Sequence, residues 1–403
     1  MEPSVTAAAL HAPPGPTRES ERAWAPDLAR GAVLLGIALA NVSLYLHGSE
    51  MGSGHRPVDG TALDRTLDFV VTLLVNDRSR PMFALLFGFG LVTMVRRMQA
   101  RGVDDATRTR VLVRRHLWLI AFGAVHAALL FEGDILGLYG ATGLVVLLMM
   151  TWRPRVLLVW GVVSILLLGG LYAAIEAMAT PTAPSDYLAS VAQRLSVFAL
   201  GVFGGTLLLI VLAPMLIGVV LARRGLLDRP WEHLTTLRRL VLAGAVVGVF
   251  GSVPYALLVA EVWQPGAVAT AALSALHVMT GTAMGVAYVA AFGLWGARLH
   301  AAGTVRRGFP ALLAAVGERS LTCYLLQSVM LAPLLAPWGL GLGDGLGTAA
   351  AYGIALSVWL VTVAVAWVLA STGRRGPIEV LLRRLTYGRQ GAAAPTGRTP
   401  QPA

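Results

Sequence analysis

The sequence predicts an all-α protein, a polytopic membrane bundle of about ten transmembrane helices, with residues 63–77 as a candidate eleventh. Three observations carry this. Hydrophobic residues make up 56% of the chain and charged ones only 13%, against about 25% charged in a soluble domain. Apolar runs of about 20 residues, enough to cross a hydrocarbon core of roughly 30 Å as helix, recur along nearly the whole length. The basic residues, all 32 of them arginine, gather in connections on alternate sides of those runs.

Residues 1–21, MEPSVTAAALHAPPGPTRESE, are proline-rich and mixed in charge and read as a disordered leader. No signal-peptide apolar region precedes the first span, and the ALA at 38–40 lies too deep in the chain to be an ordinary cleavage site. The spans read at about 31–47, 81–96, 117–131, 134–151, 155–176, 195–222, 239–261, 269–297, 311–333 and 347–371, inside a single transmembrane domain over 22–390. The segment LDRTLDFVVTLLVND at 63–77 has a short apolar core between charges and reads as interfacial or re-entrant. Residues 391–403 read as a disordered tail.

The connection at 96–115 carries seven arginines, and further arginines fall in WRPR at 152–155, in 222–239, in 298–307 and in 374–389. The connections at 132–134, 177–193, 262–268 and 334–346 carry none. The positive-inside rule puts the arginine-rich side in the cytoplasm, so the protein is expected in the plasma membrane with a cytoplasmic C-terminus. With ten spans the N-terminus is cytoplasmic as well; a crossing at 63–77 would move it outside. Topology thus accounts for most of the net charge of +11, and nucleic acid is not an expected partner; an anionic headgroup or nucleotide-like ligand at the arginine-rich face is the alternative use of that charge. The single cysteine, Cys323, rules out an intrachain disulfide framework and a CxxC metal site. No HExxH or comparable ligand pair, Walker A motif, dinucleotide fingerprint or GxSxG occurs, so no metal or permanently bound cofactor is expected. GFG at 88–90 reads as close helix packing.

Several polar residues stand inside or at the ends of spans. Asp27 and Arg30, at i and i+3 before the first apolar run, can pair on one helix face, as a cap and a snorkelling cation or as a phosphate grip. Asn41 falls deeper along the same span, as interhelical glue or as a site residue, and His47 near its outer end. In GAVHAALLFEGDILGLYG at 123–140 the gap between spans is so short that Glu132, Gly133 and Asp134 read as a tight outer-face turn, Asp134 capping the next helix. His126 lies within the span, either a packing histidine or a general base oriented by a carboxylate. His277, Gln327 and Tyr139 are candidates for lining a pocket, and Arg115 joins Asp27 and Arg30 as a candidate for donor binding.

Five stretches, PDLARGAVLLGIALAN, SRPMFALLFGFG, GAVHAALLFEGDILGLYGATG, GERSLTCYLLQS and GPIEVLLRRLTYG, resemble in order and spacing the YeiB-like family of uncharacterised bacterial membrane proteins. That family is grouped with membrane acyltransferases, the heparan-glucosaminide N-acetyltransferase among them. The resemblance implies transfer of an acyl group from a cytoplasmic CoA thioester, as co-substrate, to a small-molecule, glycan or lipid acceptor within or across the membrane. It also implies a catalytic histidine soon after Asn41, for which His47 and His55 are the nearest residues. Cys323 stands where such sequences often have Asn. On this reading Arg30 and the basic connections receive the donor, and His126 or His47 is the base, with Asp134 orienting and Asn41 assisting. A transporter or flippase and a non-catalytic membrane scaffold are the competing readings; against transport, the sequence displays no internal repeat and no paired glycine- or proline-broken helices.

Overall fold

A computed structural model describes residues 24–176, 184–303 and 307–388; the expected leader at 1–21 and tail at 391–403 lie outside them. The described chain is helical almost throughout, in agreement with the expected all-α membrane bundle. Helix α1 (Trp24–Asn41) continues into a 3₁₀ turn, Val42–Tyr45, and a two-residue β hairpin pairs β1 (Met51–Gly52) with β2 (Arg56–Pro57). Then follow α2 (Ala62–Leu74), α3 (Ser79–Ala100), α4 (Asp105–Leu129), α5 (Leu136–Met149), α6 (Pro154–Glu176), α7 (Tyr187–Leu207) and α8 (Leu212–Arg223). The remainder is α9 (Leu234–Phe250), α10 (Val253–Val259), α11 (Ala267–Ala301), α12 (Gly308–Glu318), α13 (Ser320–Leu335), α14 (Thr348–Ser371) and α15 (Pro377–Tyr387).

Eight of the described helical stretches are long and apolar enough to cross a membrane, and α5, α8, α12 and α13 are shorter apolar helices. The segment at 63–77 forms α2, which joins α3 through a break at 75–78, and the two make one apolar stretch, Ala62–Ala100, long enough to cross a membrane. Three other expected spans are also divided: 195–222 into α7 and α8, 239–261 into α9 and α10, and 311–333 into α12 and α13. The sequence reading saw no broken helices, and this is its main correction. A signal was present, because Pro81, Pro214 and Pro254 each fall in the first three residues of the helix that follows a break. Proline is at home in a helix's first turn, whose amides have no intrahelical acceptor.

The most apolar windows of α1, of α2 with α3, and of α11 are 56% buried, whereas those of α7 and α9 are 22% and 17% buried. The first group therefore makes the centre and the second faces lipid. In hydrocarbon, helices gain little from hiding apolar surface and associate by close backbone approach at small residues. Gly31 lies on the Leu313 carbonyl, Gly88 on that of Met215 and Gly218 on that of Leu85, so α3 and α8 interlock through a reciprocal pair of glycines. The GFG motif thus serves packing through Gly88, while Gly90 leaves room for the Arg30 guanidinium.

Several arginines of the arginine-rich end close helix C-termini. Arg96 donates to the carbonyls of Ala222 and Arg223 at the end of α8, at 2.8 and 3.1 Å. Arg223 donates to Trp152 at 2.8 Å and to Met150, beyond the end of α5. A cation there meets both the unpaired carbonyls and the negative end of the helix dipole. At the opposite end Arg194 does the same for α4, donating to Ala127 at 3.1 Å and Ala128 at 2.8 Å while its guanidinium lies over the edge-to-face pair of Tyr187 and Trp338.

A methyl group at Gly88 would meet the Met215 backbone, whereas at Gly353, on the exposed face of α14, it would meet nothing within 4 Å. Gly88→Ala should therefore destabilise the folded protein by about 1–3 kcal/mol and Gly353→Ala should not. Thermal unfolding of both variants in detergent checks this.

Candidate active site

The site is built on the link between α4 and α5. Beyond Leu129 the amides of Leu130 and Phe131 both bond back to the His126 carbonyl, which ends α4 and turns the chain inward. Asp134 returns beside Gly123, whose missing side chain leaves the space that the Asp134 carboxylate and the Gly137 amide occupy. The side chain of Asp134 is fully buried, so the expected outer-face turn is confined to Glu132 and Gly133, and Asp134 lies within the protein. Its Oδ1 accepts the Gly137 amide at 2.8 Å, capping α5 as expected, while Oδ2 lies 2.7 Å from Nδ1 of His126. One carboxylate serves as both cap and partner of the histidine.

This bond sets the tautomer. An ionised carboxylate only accepts, so Nδ1 carries the proton and Nε2 keeps its lone pair. Nε2 is buried and has no hydrogen-bond partner among the described residues. The His126 ring packs edge-on against Tyr324 at 5.2 Å and lies 6.3 Å from Phe131. Nearby Glu132, outside the helices, has its pKa raised by burial, with the charge of Arg194 opposing the shift.

On the other side of Tyr324 lies a cavity of about 420 Å³, within the range of small-molecule sites. Its wider end is lined by Arg30, Arg97, Arg101, Arg115, Arg375 and Arg383, with Asp27, Asp228, Glu318 and Glu379 among them. Its inner end is lined by Phe83, Phe87, Leu119, Ile135, Leu136, Tyr139 and Tyr324. All four carboxylates are committed: Asp27 holds Arg30 at 3.2 Å, Glu379 takes the amides of Leu321 and Thr322 at 2.8 and 3.0 Å, Asp228 lies 3.8 Å from Arg96 and Glu318 3.4 Å from Arg319. Arg115 makes no hydrogen bond or ion pair among the described residues. The cavity thus runs from a surplus of positive charge to an aromatic floor, suited to an anion with an apolar extension.

Of the residues expected at the site, Asp27, Arg30, Arg115 and Tyr139 line the cavity, and His126 with Asp134 stands behind its floor. Four others are elsewhere. Asn41 ends α1 and makes no side-chain hydrogen bond among the described residues; it does not meet His126 or Asp134. His47 is tied into a bridge with Asp344, its Nδ1 3.1 Å from the Tyr45 carbonyl, and is not positioned as a base for this cavity. Gln327 is buried and donates to the Leu34 carbonyl at 3.3 Å.

His277 belongs to a separate cluster that sequence reasoning missed. Where α2 gives way to α3, Asp77 takes a left-handed backbone with φ of 54°, and its carbonyl lies against Gly281 in the midsection of α11. Asp77 pairs with Arg80, and Tyr172 donates to Asp77 at 3.0 Å. Arg78, fully buried, has Nη1 2.8 Å from Nε2 of His277, and Ser252 lies 2.9 Å from Nδ1. Arginine can only donate, so His277 here is neutral, accepting at Nε2 and donating from Nδ1 to Ser252. The charges in NDRSRP read as the boundary of an apolar run; they are the side chains that fill a helix break.

Residues 221–389 match the family model described as "Protein of unknown function (DUF418)". Over 412 aligned residues the chain is 27% identical to the uncharacterized protein YxaH of Bacillus subtilis (strain 168), covering 92% of this chain and 96% of that protein. It is 26% identical over 402 residues to the uncharacterized protein YeiB of Escherichia coli (strain K12), covering 93% and 98%. The chain is thus similar over nearly its whole length to YxaH and YeiB. The family model takes in Asp228 and the C-terminal part of the cavity lining, from Gly317 to Tyr387, while the similarity to YxaH and YeiB covers more than nine-tenths of the chain. No solved structure matches this chain.

In Asp134→Asn the amide oxygen can still cap Gly137, but the side chain turns a donor towards His126. The imidazole proton should move from Nδ1 to Nε2, read as exchanged ¹⁵N shifts of the His126 ring in labelled protein. Asp134→Ala, which leaves both the cap and the buried imidazole without a partner, should lower stability by about 3 kcal/mol.

Proposed function

We propose that this membrane protein is an acyltransferase that takes its acyl group from a CoA thioester entering at the arginine-rich face, and passes it to a hydroxyl or amine acceptor at His126. One observation carries the proposal: a buried His126–Asp134 pair with a free Nε2 stands directly behind the aromatic floor of an arginine-mouthed cavity. The residue types fit the donor. Guanidinium groups grip phosphates bidentately, and the walls beyond Arg30 and Arg115 are aromatic and aliphatic, as a pantetheine-like arm requires. With the positive-inside rule assigning the arginine-rich face to the cytoplasm, the donor comes from the compartment that holds acyl thioesters.

The part played by the chain follows from the pair. Asp134 holds the ring and stabilises the imidazolium that forms; Nε2 removes the acceptor's proton as it attacks and returns it to the leaving thiolate. Burial keeps water from competing for the acyl group.

Two variants separate binding from chemistry. Arg115→Ala should weaken the thermal stabilisation that CoA gives the purified protein by about tenfold in apparent Kd. His126→Gln should keep that stabilisation and lose about 10²–10⁴-fold in acetyl-CoA-dependent transfer to a panel of amines and alcohols. Wild-type turnover in His126→Gln would sink the proposal.

A transport reading draws on a different observation, the meeting of the α2–α3 and α9–α10 breaks around the Asp77, Arg78 and His277 cluster, since broken helices around buried charges are a transporter motif. Proton-dependent uptake into vesicles without a covalent product would favour it over acyl transfer.

A further inference from the structure

The geometry points to Tyr324 as a second catalytic residue of this site, the hydrogen-bond donor to the carbonyl oxygen of the reacting thioester. The inference rests on the acyl-transfer reading above. Tyr324 is 3% exposed and lines the inner end of the cavity, one turn into α13. Its hydroxyl oxygen receives the Ile135 amide at 3.4 Å, which fixes the oxygen as an acceptor on that side. The phenolic proton has no acceptor among the described residues. A buried hydroxyl in protein normally donates as well as accepts, so this donor has a valence that the fold leaves open.

The neighbour has the complementary opening. His126 offers an acceptor at Nε2, and its ring is 5.2 Å from that of Tyr324. An open donor on the cavity lining and an open acceptor immediately behind it are what nucleophilic attack on a carbonyl needs. The acceptor's O–H or N–H proton goes to Nε2 as its heteroatom bonds to the thioester carbon. The negative charge that appears on the carbonyl oxygen is met by the Tyr324 O–H. When the carbonyl re-forms, the C–S bond breaks and the thiolate takes the proton back from His126. Both side chains end as they began. The backbone amide of Ile135, donating to the same phenol oxygen, makes that phenol a better donor as charge develops.

Acetyl-CoA as donor and hydroxylamine as probe nucleophile give kcat and donor KM for the wild type, Tyr324→Phe and His126→Gln in proteoliposomes. Tyr324→Phe keeps the ring that packs on His126 and removes only the oxygen. It should lose about 10²–10³-fold in kcat, with the donor KM within twofold and stabilisation by CoA retained. Incorporation of 3-fluorotyrosine at position 324, which keeps the hydroxyl, should restore kcat to within a few-fold. Wild-type kcat in Tyr324→Phe beside an inactive His126→Gln overturns the role of Tyr324 and leaves the acyl-transfer reading standing. A raised donor KM with unchanged kcat also overturns it, since Tyr324 would then only bind. Wild-type protein that forms no hydroxamate, or His126→Gln at full rate, overturns the acyl-transfer reading itself.

Discussion

A helix that breaks inside hydrocarbon exposes amides and carbonyls with no water to satisfy them, and the fold depends on side chains that take over at each break. Ser164 reaches from α6 to accept the Ala213 amide and donate to the Leu209 carbonyl across the α7–α8 break. Tyr288 on α11 takes the Leu74 carbonyl where α2 ends, at 2.7 Å. Glu379 covers the first amides of α13, and Asp134 those of α5. Most of these groups come from a distant helix, so the bonds that heal a break also fix how helices sit on one another. The polar residues of this apolar chain are first of all a repair set.

That role supplies a criterion for telling scaffold from site. A side chain used only for repair has its hydrogen-bonding capacity consumed: Ser164 both donates and accepts, and Asp77 is held by Arg80 and Tyr172. His126 and Tyr324 are different, because each spends one valence on the fold and keeps another. The Nδ1 proton of His126 goes to Asp134 and the Tyr324 oxygen to the Ile135 amide; Nε2 and the phenolic proton are left over. Tyr324 lines the inner end of the cavity, and His126 packs directly behind it. His116 is the instructive contrast. Its Nε2 is also without a partner among the described residues, and its ring meets Phe87 of the cavity floor edge-on at 5.7 Å, but its Nδ1 is 2.7 Å from the backbone carbonyl of Leu112, with no carboxylate to stabilise a charged imidazole.

Much of this was legible in the sequence, for physical reasons that differ by residue. Apolar runs of membrane-crossing length have few other uses, so the class of fold was readable. A histidine inside such a run is costly, which singled out His126. Asp134 was misplaced because counting residues between two spans assumes that both helices run to the surface. Here α4 stops and the chain folds back, since Gly123 makes room beside it. The breaks were hidden because hydropathy averages over a window, and TLLLIVLAP reads as one apolar helix although Leu209 sits at φ 57°. Proline in the first turn of the second half was the local sign. His47 was drawn in by analogy of order along the chain, but order does not fix the direction of a side chain, and its backbone is committed to the bridge with Asp344.

The position of the pair also bears on access. Tyr324 stands between His126 and the cavity, and Phe131, which packs on Tyr45 at 5.2 Å, lies 6.3 Å from the same imidazole. The imidazole is therefore buried behind the cavity lining, in contact with two aromatic rings that are themselves buried. In a buried site of this kind a charged intermediate is stabilised only by the groups already built in, and Asp134 is the carboxylate bonded to the ring among the described residues. On the proposed reading, the donor would reach Tyr324 from the cavity and the acceptor would reach Nε2 only by displacing a ring packed on it, which would keep water from the acyl group while the bond is exchanged.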